Sequence, residues 1–320
     1  MQVALLVAAL VMAFVSGAND GATLTAIGAR TGVISPLFGV LVLSASVGAM
    51  PALAGTKVAT TLAHGLVSFE HSGGKPEFLI AALATLVVVF VLSRRGLPTS
   101  VTLALNGAIV GVGVGAGLSV GWSTVGYVLA AGLLAPLIAG LSGFAVVPAV
   151  DRALRSPSRR RPRAKLVRVV SYLASAGAYG ANDAQKMVAF AAIATGAGLD
   201  PVHALLATQA AVAACFAAGA LYSVRRLAGR VTEQMVRASQ AGPVAALFTS
   251  SAVVTAAAAL GLPIGSTQSA MAGLIGATRK LAPHRTRAEQ VLALGAAWAA
   301  TLPSAALLGA VAGLAVAAAR

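Results

Sequence analysis

Apolar residues run through the chain in blocks of roughly twenty, separated by Pro, Gly and charged residues rather than flanked by a polar face. Blocks of that length match the ~20 helical residues that cross a hydrocarbon core of about 30 Å. No block alternates in the manner of a membrane β-strand. The pattern predicts about ten helical elements, over residues 2–33, 36–53, 78–93, 97–118, 122–150, 168–198, 201–224, 243–260, 262–278 and 288–318. The first is interrupted near 17–21 and the sixth near 180–184.

Composition supports a membrane protein. Of 320 residues, 58% are hydrophobic and 10% charged, and the mean hydropathy is +0.89, so polar side chains are too few to coat a soluble globule. The formal net charge of +15 would suggest a nucleic-acid surface in a soluble protein, but its placement says otherwise. Nineteen of the 23 Lys and Arg residues follow odd-numbered elements: Arg30, the Arg94-Arg95 pair, a basic stretch from Arg152 to Arg168, then Arg225 to Arg237 and Arg279 to Arg287. Basic residues mark cytoplasmic connections, so both termini are expected outside. The stretch 151–167 reads as a cytoplasmic linker and not as a nucleic-acid site. The N-terminal Met1-Gln2-Val3-Ala4-Leu5 lacks a basic signal-peptide region and reads as the start of the first span. A single cysteine, Cys215, excludes an internal disulfide and suits packing.

The chain also repeats itself. Gly17-Ala18-Asn19-Asp20 returns as Gly180-Ala181-Asn182-Asp183, and Gly55-Thr56-Lys57-Val58 is loosely echoed by Gly229-Arg230-Val231. Gly96-Leu97-Pro98-Thr99-Ser100-Val101-Thr102 is answered by Gly261-Leu262-Pro263-Ile264-Gly265-Ser266-Thr267, and Pro136 by Pro303. The predicted fold is therefore an all-α polytopic membrane protein of two repeats, 1–150 and 168–320. Each holds about five elements, an odd number that inverts the second repeat relative to the first. Broken helices are expected at the duplicated Gly-Ala-Asn-Asp motifs and hairpin-like segments at the Gly-Leu-Pro turns. Inverted repeats with interrupted helices are the signature of secondary transporters.

Of eight acids, only Asp20 and Asp183 fall inside apolar blocks, where a charge costs about 2.5–3.5 kcal/mol and needs a partner. Gly17 and Gly180 are expected to let the helices break, freeing carbonyls for a cation. Asn19 and Asn182 stand beside the carboxylates, and the four residues together form the candidate cation site, with Asp20 and Asp183 as ligands of sodium if sodium is the coupling ion. Ser100 and Thr102, with Ser266, Thr267 and Gln268, open two helices whose free N–H groups suit an anion. Lys186 can pair with Asp183, counter the charge of an anion or reach an interface, and the residues alone leave these open. His64, His71, His203 and His284 lie near element ends without metal-ligand spacing. The glycines 107, 111, 113, 115 and 117 suit close helix packing.

These segments resemble the inorganic phosphate transporter (PiT) family of sodium- or proton-coupled phosphate symporters, most clearly in Gly180-Ala181-Asn182-Asp183-Ala184-Gln185-Lys186. The resemblance implies that Asp20 and Asp183 serve cation coupling and that Ser100, Thr102, Ser266 and Thr267 line the oxyanion site, with Gln185, Lys186 and Gln268 beside it. It implies a carrier rather than an enzyme, no cofactor beyond the coupling Na⁺ or H⁺, and inorganic phosphate or a similar oxyanion as substrate. Membrane lipid is a partner and nucleic acid is not; a homodimer is left open. A bacterial plasma membrane is the expected location. The chain departs from the family pattern at Gly21-Ala22-Thr23, Ser100-Val101-Thr102-Leu103 and Gly265-Ser266-Thr267-Gln268. A sulfate permease of the same family is the alternative reading, and an intramembrane aspartyl protease a distant one.

Overall fold

The computed structural model describes residues 1–69, 75–94, 99–155, 161–195, 206–227, 239–285 and 288–318, and over these the chain is helical. The Gly96-Leu97-Pro98 turn, the Gly229-Arg230-Val231 echo, the linker centre 156–160, the acids Glu70, Asp200 and Glu233, and His71 and His203 lie outside the described residues.

Helix α1 (Gln2–Ser16) runs through a π-turn (Gly17–Gly21) into α2 (Ala22–Ala29), and α3 spans Pro36–Ala54. A short α4 (Lys57–Thr60) continues as a second π-turn (Thr61–Gly65). Then come α5 (Lys75–Arg94), α6 (Val101–Gly115) and α7 (Trp122–Leu154). The second part holds α8 (Arg161–Asn182), α9 (Gln185–Thr195), α10 (Leu206–Leu227), α11 (Ala241–Ala259), α12 (Ser266–Leu281) and α13 (Ala288–Ala318). Among the described residues, seven segments are long and apolar enough to cross a membrane. The 15-residue α6 and 16-residue α12 are only about 23–24 Å long, short of a ~30 Å core.

Local chemistry sets several boundaries. The Ser35 hydroxyl accepts from Phe38 N at 3.2 Å and Pro36 occupies the first turn, which together start α3. Gly261, at φ +74°, stops α11 in a conformation that suits glycine and turns residues 262–265 toward the start of α12.

Three features differ from the expectation. Residues 57–65 are helical although too short and Thr-rich to show a spanning period; tertiary bonds hold them, with Lys57 Nζ donating to Ala259 O (3.0 Å) and Thr61 Oγ1 to Gly261 O (2.7 Å). Helices α7 and α8 reach into the basic stretch, to Leu154 and from Arg161, because Arg and Lys are good helix formers. The first Gly-Ala-Asn-Asp motif does not break its helix: Gly17–Gly21 keeps a helical backbone as a π-turn. The second does interrupt the helix, because α8 ends at Asn182 and α9 starts at Gln185.

The outer face is apolar. Leu133 (71% exposed), Leu137 and Leu141 on α7, with Leu307, Val311 and Leu314 on α13, form stripes that water would penalise and lipid accepts. Inside, Tyr172 and Tyr179 of α8 and Phe216 of α10 are fully buried. Helices from the two parts of the chain interleave: α1 packs on α10, α3 on α8, α6 on α13 and α7 on α12. Glycine makes these crossings close. A Cβ at Gly107, Gly111 or Gly115 of α6 would collide with the carbonyls of Leu302, Ala306 or Ala310 of α13, and one at Gly219 of α10 with that of Phe14. Without a hydrophobic drive between helices in lipid, such backbone approach supplies the packing energy.

Gly111→Ala should therefore lower the melting temperature of the detergent-purified protein, by a destabilisation of about 1–3 kcal/mol. Gly126→Ala, where nothing lies within 4 Å of an added Cβ, should leave it unchanged or raised. Equal effects at the two positions would contradict the packing account.

Candidate functional site

The two motif aspartates come to one buried cluster. Asp20 sits in the π-turn after α1, and Asp183 in the turn between α8 and α9; they are 2% and 1% exposed. The first turns of α6 and α12 supply their partners. Thr102 Oγ1 donates to Asp183 Oδ1 at 3.1 Å, and Thr267 Oγ1 donates to Asp20 Oδ1 at 2.9 Å, so each carboxylate is met by a threonine from the other part of the chain. Ser266 Oγ donates to Asp183 Oδ2.

The asparagines fix the helix starts. Asn19 Nδ2 donates to Asp20 Oδ1 (3.1 Å) and to the Thr99 carbonyl (3.0 Å). Asn182 Nδ2 donates to the Leu262 carbonyl (2.9 Å), while its Oδ1 accepts from Ile264 N (3.3 Å). Each asparagine thus holds the non-helical backbone that leads into α6 or α12, aiming the helix N-termini at the cluster. Ser100 caps α6 by accepting from Leu103 N at 3.3 Å.

Of its three alternatives, Lys186 makes the ion pair. Its Nζ lies 2.6 Å from both Asp183 Oδ1 and Thr102 Oγ1, and the side chain is fully buried. The pair is i,i+3, a spacing visible in the sequence, but the contact also needs Thr102 from α6.

The Gln185 Oε1 accepts from Ala59 N (3.0 Å) and its Nε2 donates to Ala181 O (2.5 Å), which ties α9 to α4. Gly17 opens the π-turn and Gly180 lies in the last turn of α8, just before the interruption at Asp183; both also permit close contact, since a Cβ would collide with Phe216 O at Gly17 and with Ser46 O at Gly180. Gln268 is buried with the others, and its Oε1 has no hydrogen-bond partner. A Cβ at Gly265 would meet both that oxygen and Ser100 Oγ, placing Gln268 between the two helix starts.

Sequence reasoning missed several contributors. Ser16 and Tyr179, one helical turn before the aspartates, bring fully buried hydroxyls to the cluster. Asn106 of α6 donates to Pro263 O at 3.3 Å, bracing the turn before α12. A lone Asn in an apolar block was the available signal for the last. His64 and His284 are exposed, and among the described residues no group of three His, Cys, Asp or Glu could hold a metal ion. The donors available are hydroxyl, amide and carboxylate oxygens, which suit a hard monovalent cation or a proton.

Breaking the Lys186–Asp183 pair leaves a buried charge alone. Asp183→Asn should destabilise the detergent-purified protein by about 3–5 kcal/mol, and adding Lys186→Met should recover most of it. Melting temperatures of the two variants check this; no recovery in the double variant would contradict the pairing.

Known proteins resemble this chain in sequence and fold. The model of the phosphate transporter family matches residues 16–170 and 151–309. A Mycobacterium bovis protein named "Probable low-affinity inorganic phosphate transporter" is 30% identical over 320 residues, covering 95% of this chain and 75% of its own. A Bacillus subtilis protein of the same name is 25% identical, over 98% of this chain and 96% of its own. A Plasmodium falciparum "Sodium-dependent phosphate transporter" is 32% identical over 143 residues, 42% of this chain and 21% of its own. The solved structure titled "The sodium-dependent phosphate transporter" superposes with a TM-score of 0.78 over 98% of both chains at 16% identity, which establishes a shared fold. The chain belongs to the phosphate transporter family.

Proposed function

We propose that the protein is a secondary active transporter that imports inorganic phosphate with a cation, Na⁺ or H⁺, by alternating access. The observation that carries this reading is the reciprocal closure of the site: two buried aspartates, each bonded by a threonine from the first turn of a helix in the opposite part of the chain.

Charge supplies the coupling. Asp20 and Asp183 carry two negative charges and Lys186 one positive, so the cluster is net negative in an environment with little water to screen it. An oxyanion entering there alone would be repelled. A cation at the carboxylates removes the repulsion, and the N–H groups at the starts of α6 and α12 with the hydroxyls of Ser100, Thr102, Ser266 and Thr267 can then hold the oxyanion. Net cost falls only when both are bound, which is the condition for symport. The relatives named as phosphate transporters make phosphate the first oxyanion to test, and those named sodium-dependent make sodium the first cation.

For the architecture we propose two inverted repeats, 1–150 and 168–320, joined on the cytoplasmic side by 151–167, with both termini outside. What supports it is exchange. The Asn19–Thr99 and Asn182–Leu262 bonds each span 80 residues. The packed pair α1 with α10 has its counterpart in α8 with α3, and α6 with α13 in α12 with α7. In such repeats, rocking one assembly against the other exposes a fixed central site to each side in turn.

Purified protein in proteoliposomes should take up labelled phosphate only with an inward sodium or proton gradient, and excess sulfate should compete poorly. Asp20→Asn should cut that uptake by about tenfold or more, the 1.4 kcal/mol or so lost with a charged ligand. Uptake indifferent to both gradients, or a preference for sulfate, would overturn the reading.

A further inference from the structure

The two carboxylate sites are built alike, and one difference separates them. Three residues past Asp183 stands Lys186; three residues past Asp20 stands Thr23, whose hydroxyl donates to the Asn19 carbonyl at 2.7 Å. Asp183 is therefore met by an ammonium at 2.6 Å, by Thr102 and by Ser266. Asp20 is met by Thr267 and Asn19, both neutral. Beside Asp20 lie the hydroxyls of Tyr179 and Ser16, both fully buried. Hydroxyl oxygens thus gather at the carboxylate that no ammonium touches directly, while Asp183 has both of its carboxylate oxygens taken.

We infer that Lys186 is a built-in cation: its ammonium fills at Asp183 the place that an external cation takes at Asp20, with the Ser16 and Tyr179 oxygens as further ligands. This rests on the transport reading for its consequence. A single external cation then binds within the cluster, and Lys186 stays with the protein through the cycle instead of being carried across. An ammonium with three donors fits this role, because Asp183 Oδ1 and Thr102 Oγ1 already accept from it and no small ion could sit within bonding distance of that carboxylate oxygen at the same time.

The inference predicts that removing the ammonium opens a second external site. In proteoliposomes, Lys186→Thr should raise the charge moved per phosphate by one elementary charge relative to wild type, and Lys186→Arg, which keeps the positive charge, should leave the ratio unaltered. An unaltered ratio in a Lys186→Thr protein that still carries phosphate would overturn the inference and leave the transport reading intact. A Lys186→Thr protein that is folded but takes up no phosphate at any cation concentration would also overturn it, by placing the ammonium on the oxyanion. Absence of phosphate uptake by the wild type would instead contradict the transport reading. The inference would then be read on detergent-purified protein alone: sodium or acid should raise the melting temperature of Lys186→Thr more than that of wild type or Lys186→Arg. Equal shifts in all three would overturn it.

Discussion

An ionised carboxylate in an apolar interior survives only if donors reach it, and this chain must satisfy that condition at Asp20 and at Asp183. The donors come from α6 and α12, across the molecule from the helices that carry the aspartates. Much of the remaining architecture follows. The asparagines must hold the backbone before α6 and α12 so that their first turns face inward. Helices α6 and α12 must then be braced from behind, which α13 and α7 do at glycine-lined crossings. Breaking either threonine contact would leave a buried charge short of a donor, at a cost of about 1.5–3 kcal/mol, a substantial fraction of the roughly 5–15 kcal/mol by which a typical fold is stable.

The cluster and its surroundings also explain the unusual composition. Few charges are present, and the two motif carboxylates are compensated within the cluster, Asp183 by Lys186 and Asp20 by neutral donors. The lipid-facing stripes on α7 and α13 account for the high mean hydropathy, and glycine supplies close helix contact where side chains cannot provide a hydrophobic drive.

A large share of this was legible in the residues. Helix type, most helix positions, both aspartates and the hydroxyls of Ser100, Thr102, Ser266 and Thr267 follow from local pattern and from the duplicated motifs. What escaped depends on tertiary contact. The π-turn at Gly17–Gly21 could not be told from a break, because the motif glycine signals close approach as readily as flexibility, and only the Phe216 carbonyl shows which applies. Gln185 lies two positions past Asp183, yet its side chain also bonds Ala59 N of a helix too short to leave a period. Lys186 showed an i,i+3 spacing to Asp183, but the local turn and the arrival of Thr102 decide where its ammonium lies.

The central claim is that each aspartate is completed by a threonine from the opposite part of the chain. A double-mutant cycle on Asp20→Asn and Thr267→Val, read as the cation dependence of phosphate uptake in proteoliposomes, tests it most directly. The account predicts strong non-additivity: with Asp20 neutralised, Thr267→Val should cost little more, a coupling of about 1.5–3 kcal/mol for a hydrogen bond to a charged group. Independent, additive effects of the two substitutions would contradict it.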